Sequence, residues 1–144
     1  MSIAFELALT AYAAQEVPVG CVIVLEDEVI GRGYNRRNSV RNALYHAEML
    51  AISEACAYMG DWRLVGCSLY VTVEPCAMCA GAIVNSRIPI VVYGCANPKA
   101  GCAGTILDIL NEPRFNHRAT VISGVMEEEC AGLMGKFFGK KRKA

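Results

Sequence analysis

Hydrophobic and polar positions follow two rhythms along this chain, and the switches between them divide it into elements. Within residues 2–15, Ile3, Leu7, Ala8 and Ala11 fall near one face of a helix. The stretch EVPVG breaks that helix at Pro18. GCVIVLEDEVIGRGYN then reads as two strands joined at the acidic turn Glu26, Asp27, Glu28. HAEMLAISEACAYMG predicts a helix stopped at Gly60. CSLYVTVE predicts a strand, after which Pro75 opens another helix at its first position, where a missing N–H is harmless. That helix should run to about Arg87. IPIVVYG is a short apolar strand, followed by a loop of small residues, CANPKAGCAGT, and a short helix over residues 106–110. RATVISGV is the last strand, and the segment from Met126 is a helix with acids first and bases last.

Strands alternating with helices imply a mixed sheet covered on both faces. The first two strands form a hairpin, and the later ones, joined through helices, can run parallel. No repeat, low-complexity linker or composition break divides the chain, so one domain over residues 1–144 is the simplest organisation.

Composition narrows the class. With 54% hydrophobic and 19% charged residues the chain suits a packed core, not disorder. No apolar run approaches the ~20 residues of a membrane span, and the N-terminal stretch lacks the basic start of a secretion signal. The expected location is the cytoplasm, with no membrane partner. Eight cysteines are many, but a reducing compartment and an ample core argue against a disulfide framework. Cys21, Cys56, Cys67 and Cys130 lie in apolar stretches and read as buried thiols.

The net charge is zero but segregated. Residues 1–31 hold five acids and no base, residues 32–41 four arginines and no acid, and the tail from Lys136 five bases and no acid. Two basic patches would suit a small polyanion. The plainer reading is two solvated faces, the tail lysines complementing a helix C-terminus.

The candidate chemistry lies in two short motifs. Cys76 and Cys79 are three apart at a helix start, a spacing that shares one face. Alone, such a pair can be a redox dithiol, half of a structural zinc clamp or half of a catalytic metal site. Upstream, His46 opens another helix, with Glu48 two residues on. If the two helix N-termini face each other, His46, Cys76 and Cys79 surround one ion, and both helix starts favour thiolates. One imidazole and two thiolates give zinc three protein ligands where a structural site takes four, leaving a position open to water. Cys95, Cys102 or His117 could in principle supply a fourth. Glu48, not needed as a ligand, is the natural base to move a proton from water to substrate. The implied chemistry is addition of water to a polarised C=N carbon with loss of ammonia. A dithiol would explain neither His46 nor Glu48.

HAE together with PCAMC resembles the signature of zinc-dependent deaminases. The blocks EVPVG, IGRGYN, HAEMLAI, WRL, LYVTVEPCAMCAGAI, SRI, YGCANPKAGCAG and NH, with paired phenylalanines before a basic tail, resemble bacterial tRNA adenosine deaminases over nearly the whole chain. The resemblance implies a cytidine-deaminase-like three-layer α/β/α fold with a five-stranded mixed sheet. It implies one Zn2+ per subunit, a homodimer with the active site near its interface, and conversion of the wobble adenosine of a tRNA anticodon stem-loop to inosine. By the same resemblance Asn35 holds the target nucleotide and Val17 and Pro18 line the base pocket. The loop after Tyr93, with Asn97, and the C-terminal helix meet flanking nucleotides. Phe137 and Phe138 could stack on a base, or one of them pack on the core.

The chain departs from this family at Tyr45, where a small residue is common, and at Cys95 and Ala96, where alanine and a polar or basic residue are common. Asn97 stands in place of the usual aspartate, which predicts weaker dependence on a ribose 2′-OH and some tolerance of DNA. Two other readings stand beside the main one. The same chemistry on a free guanine- or cytosine-type base or nucleotide would leave the basic tail without a role. A zinc-stabilised RNA-binding module would need four protein ligands and no Glu48.

Overall fold

Glu26 and Asp27 carry φ angles of 49° and 65°, the two positive values of a type I′ turn, whose twist matches the strands it joins. They connect β1 (Gly20–Leu25) to β2 (Glu28–Tyr34) in the expected hairpin, with an irregularity between Ile23 and Val24. The computed structural model describes residues 1–143, and side chains to residue 141; Ala144 and the side chains of Arg142 and Lys143 in the basic tail lie outside the description. The remaining elements are α1 (Ser2–Ala13), α2 (Arg37–Val40), α3 (Ala47–Met59), β3 (Ser68–Val73), α4 (Ala77–Asn85), β4 (Ile90–Cys95), β5 (Thr120–Ile122) and α5 (Glu127–Lys143).

The five strands form one sheet in the order β2-β1-β3-β4-β5. β1 pairs antiparallel with both β2 and β3, whereas β3–β4 and β4–β5 are parallel. Alternation sorts the side chains by face. Cys21 and Ile23 pack with Ala47, Ala51, Ala55, Ala80 and Ile83 of α3 and α4. Gly20 on the other face meets Ala4 and Ala8 of α1, and Gly94 meets Cys130 of α5. Helices therefore cover both faces, giving the expected three layers.

The contact that sets α3 on the sheet depends on glycine. Gly31 and Gly33 of β2 lie against the backbone of Ala51 and Ala47, and a Cβ at either would come under 3.0 Å from those carbonyls. Small residues on both sides let the helix sit directly on the strand, which fixes where its N-terminus points. The helix ends at Gly60 in the left-handed conformation, φ 65°.

Three expectations are corrected. No helix forms over residues 106–110: Ala103 bridges Asp108 instead, and Ile106 and Ile109 donate to Gly101 and Cys102. The Ile109 amide thus goes to a carbonyl seven residues back and not four, while Glu74 holds the amides of Ala103 and Thr105 and sets the course of the chain ahead of it. Pro75 is not the first helical residue, because Cys76 is the N-cap and α4 starts at Ala77. That helix stops at Asn85, before Arg87 takes a positive φ of 62°. The one-turn helix α2 was not expected. All eight cysteines are free thiols; Cys21, Cys67 and Cys130 are buried as read, and Cys56 is half-buried.

Candidate active site

His46 is the N-cap of α3 and Cys76 the N-cap of α4, both with extended backbone. The positive ends of two helices thus meet, which favours anionic sulfur at that point. His46 Nδ1 lies 3.6 Å from Cys76 Sγ and 3.6 Å from Cys79 Sγ. The three ligand atoms lie within 4.8 Å of one another, and among the described residues no further His, Cys, Asp or Glu completes a larger group. The three candidates for a fourth ligand are engaged elsewhere. Cys95 packs with Val73 and Cys130, the Cys102 thiol donates to the Ala100 carbonyl, and His117 donates Nε2–H to the Ile88 carbonyl at 2.7 Å.

Without a cation this trio holds one thiolate and not two. The Cys79 thiol and His46 hold the Cys76 sulfur as thiolate, its pKa pulled down to about 3. The hydrogen bond to Cys76 raises the pKa of His46. Donating to that thiolate, beside its charge and largely out of water, keeps Cys79 protonated. A second thiolate needs a dication, and an imidazole with two sulfurs is a donor set that suits zinc.

Glu48, at the second position of α3, is 4% exposed and is not one of the three. Burial raises its carboxyl pKa to about 7.

A cavity of ≈ 210 Å³ opens beside these groups. Its floor includes His46, Glu48 and Cys76, and its apolar wall Val17, Val19 and Met134. Asn35, Arg37 and Asn97 supply polar lining. Asn35 is held on both sides: its Nδ2 donates to the Val17 carbonyl and its Oδ1 accepts the Arg37 N–H, each at 3.2 Å. Asn97 Oδ1 accepts the Ala100 N–H at 3.2 Å.

Of the other sequence-predicted contacts, Pro18 is buried and is not in the lining of the cavity, which its neighbours Val17 and Val19 reach. Phe137 is buried, edge-on to Tyr12 and Phe138. It lines a second cavity of ≈ 340 Å³ with Tyr12, Lys140 and Lys141. Phe138 is exposed and lines neither.

Sequence reasoning missed Val19, Met134, Arg37 and two buried carboxylates. Arg37 had a signal, as one of four arginines in ten residues. Glu16, 1% exposed, accepts the N–H groups of Asn38 (3.0 Å) and Ser39 and the Ser39 hydroxyl. It thereby caps α2 from a distant part of the chain.

Residues 1–95 match the cytidine and deoxycytidylate deaminase zinc-binding region. The chain belongs to this deaminase family. It is 51% identical to the tRNA-specific adenosine deaminase of Bacillus subtilis over 99% of this chain and 89% of that protein. To the enzyme of the same name from Rickettsia bellii it is 42% identical, over 96% and 97% of the two chains. A solved structure from a study of A-to-I editing by tRNA:A34 deaminases superposes with a TM-score of 0.89 at 40% identity, covering 92% of this chain and 96% of the other. Guanine deaminase from Nitrosomonas europaea gives a TM-score of 0.78 at 25% identity, over 96% and 82%. The sheet and helix layers of this deaminase are those of the cytidine-deaminase-like fold, and within its zinc-binding region lie three donors of the kind zinc takes.

Proposed function

We propose that this deaminase converts adenosine to inosine at the wobble position of a tRNA anticodon loop, with His46, Cys76 and Cys79 holding zinc and Glu48 moving the protons. The observation that carries the site assignment is a buried carboxylate beside a three-donor cluster at the floor of one cavity. The choice of adenosine in tRNA rests on the named relatives at 42–51% identity.

Zinc, when bound, supplies the Lewis acidity that makes a water easier to ionise. Glu48 takes a proton from the attacking water and delivers it to the amine as the C6–N bond breaks, so adenosine and water become inosine and ammonia. Val17, Val19 and Met134 give the base an apolar wall. Asn35, with one N–H and one lone pair already fixed, turns its remaining N–H to the nucleotide. A single-stranded loop lets the base leave its stack, and Arg37 with the other arginines of its segment neutralises phosphates.

We take the working form to be a homodimer in the cytoplasm. Exposed Leu44, Ile106 and Leu107 offer apolar surface to a second copy, and among the described residues no helix is long and apolar enough to cross a membrane. Analytical ultracentrifugation tests the dimer.

The deciding experiment incubates zinc-loaded protein with an anticodon stem-loop bearing the wobble adenosine and, separately, with free adenine, guanine and cytosine. Inosine in the RNA alone is the expected result. Deamination of free guanine alone would overturn the reading.

A further inference from the structure

Glu74 ends the segment that leads from β3 into Pro75 and Cys76, and it is 1% exposed. The deamination chemistry leaves it without a part, since it is neither in the metal cluster nor the proton carrier. A buried carboxylate is unfavourable unless its lone pairs are filled. Here one loop fills them. Oε1 accepts the Asn97 N–H at 3.1 Å and the Thr105 hydroxyl; Oε2 accepts the N–H groups of Ala103 (2.9 Å) and Thr105 (3.1 Å). The next residue joins in, its Pro75 carbonyl accepting the Cys102 N–H at 2.8 Å. Gly101 lies against the carboxyl group so closely that a Cβ there would stand 2.5 Å from its carbon.

The loop so gripped, residues 97–105, carries Asn97 and Ala100 into the cavity wall. Cys76, two residues beyond Glu74, lies in the floor of the same cavity. One carboxylate therefore fixes the spacing between the floor and a wall that would meet the nucleic acid. Each oxygen accepts two donors, so an amide in its place must turn an N–H against an N–H.

We propose that Glu74 is a positioning residue for RNA: it sets the place of the loop 97–105, and through that loop how tightly substrate is held, while leaving the chemical step alone. The proposal rests on the RNA-deaminase reading above.

The test uses zinc-loaded full-length protein, with Glu74→Gln and the milder Thr105→Val, which removes one donor and keeps the carboxylate. Turnover of the anticodon stem-loop, metal content and amide exchange at Asn97, Ala103 and Thr105 are measured together. In Glu74→Gln, KM should rise about 10- to 100-fold, as expected for losing hydrogen bonds to a buried charged group. kcat should stay within about threefold of wild type, the mark of lost binding and not lost chemistry. Metal content should be unchanged and the three amides should exchange faster. Thr105→Val should move KM the same way by less, and carries the test alone if Glu74→Gln does not fold. An unmoved KM with only a lower melting temperature overturns the proposal, as does a fall in kcat and metal content at constant KM. Wild-type protein that leaves the RNA unmodified would sink the functional reading itself, whereas an unmoved KM on RNA that the wild type does convert sinks this proposal alone.

Discussion

His46 Nδ1 and Cys76 Sγ are 3.6 Å apart, and their residues hold the same position in two different helices, each being the N-cap. The site is therefore built from two helix starts, with Cys79 added one turn into the second. Since Cys79 stays protonated beside the Cys76 thiolate, zinc uptake by the metal-free protein near about pH 7 should release at least one proton. Titration in buffers of different ionisation enthalpy measures this. His46→Ala or Cys79→Ala should abolish stoichiometric zinc and turnover. Chelation of wild type should lower the melting temperature by about 10 °C, the effect of losing a ligand present at about a thousand times its Kd.

Glu48 makes the opposite prediction from the ligands. Glu48→Gln removes a proton carrier and leaves all three donors in place. kcat should fall about 10²- to 10⁴-fold, with zinc content unchanged. Burial disfavours the charged form of this side chain, so the metal-free variant should be at least as stable as metal-free wild type above about pH 7. Loss of zinc together with activity would make Glu48 a structural residue.

Glycines at two kinds of position should respond with opposite sign. A Cβ at Gly33 would collide with the backbone of Ala47, the residue after His46. Gly33→Ala should therefore destabilise by about 1–3 kcal/mol, an overpacking cost, and weaken zinc binding by shifting the start of α3. Gly135, exposed in α5, has nothing within 4 Å of an added Cβ. Gly135→Ala should stabilise by about 0.5–1 kcal/mol through helix propensity. Denaturant midpoints distinguish the two.

Those glycines mark where the sequence stops being legible. Periodicity and stop signals placed the five strands and the long helices, but the face expected of α1 was only partly right, since Ala4, Ala8 and Ala11 are buried and Ile3 is exposed. Spacing brought His46, Cys76 and Cys79 together because helix starts are themselves local signals. The loop over residues 101–110 misled, since its apolar Ile106, Leu107 and Leu110 imitate a helix while its course is set from elsewhere, by Glu74 some thirty residues earlier at Ala103 and Thr105 and by the Ala103–Asp108 bridge. Glu16 and Met134 were invisible for the same reason. Nothing in their neighbourhood says that one caps a helix beyond two strands, or that the other reaches the cavity from α5.

Acid should loosen both lips of the cavity. At Glu16 burial raises the carboxyl pKa, but the Ser39 hydroxyl and amide and the Asn38 amide together outweigh it, leaving the group below its ordinary 4.5. Glu74 is likewise raised by burial and brought lower overall by Thr105 and the loop amides. A folded-state value below the unfolded one means stability that is present above about 4.5 and lost as pH falls through the folded value. Denaturant midpoints measured from about pH 6 down to pH 3 should therefore decline. In Glu16→Gln the decline should be shallower, from a neutral-pH stability lower by about 1–3 kcal/mol.

Asn97 offers a test of nucleic-acid choice. One lone pair of its Oδ1 takes the Ala100 N–H, which leaves the other lone pair and the Nδ2 donor to turn to the cavity. An aspartate keeping the same Ala100 bond would present a charged oxygen in place of that Nδ2 donor, and a charged acceptor takes a stronger hydrogen bond from a ribose 2′-OH, which DNA lacks. Wild-type protein should thus favour an RNA hairpin over the matched DNA hairpin only modestly, and Asn97→Asp should widen the preference by about tenfold, the discrimination one such hydrogen bond supplies. Rates on the paired hairpins, at matched salt, measure both ratios. A DNA rate thousands of times below the RNA rate, unmoved by Asn97→Asp, would show that this side chain does not read the sugar and that sugar selection lies elsewhere in the cavity.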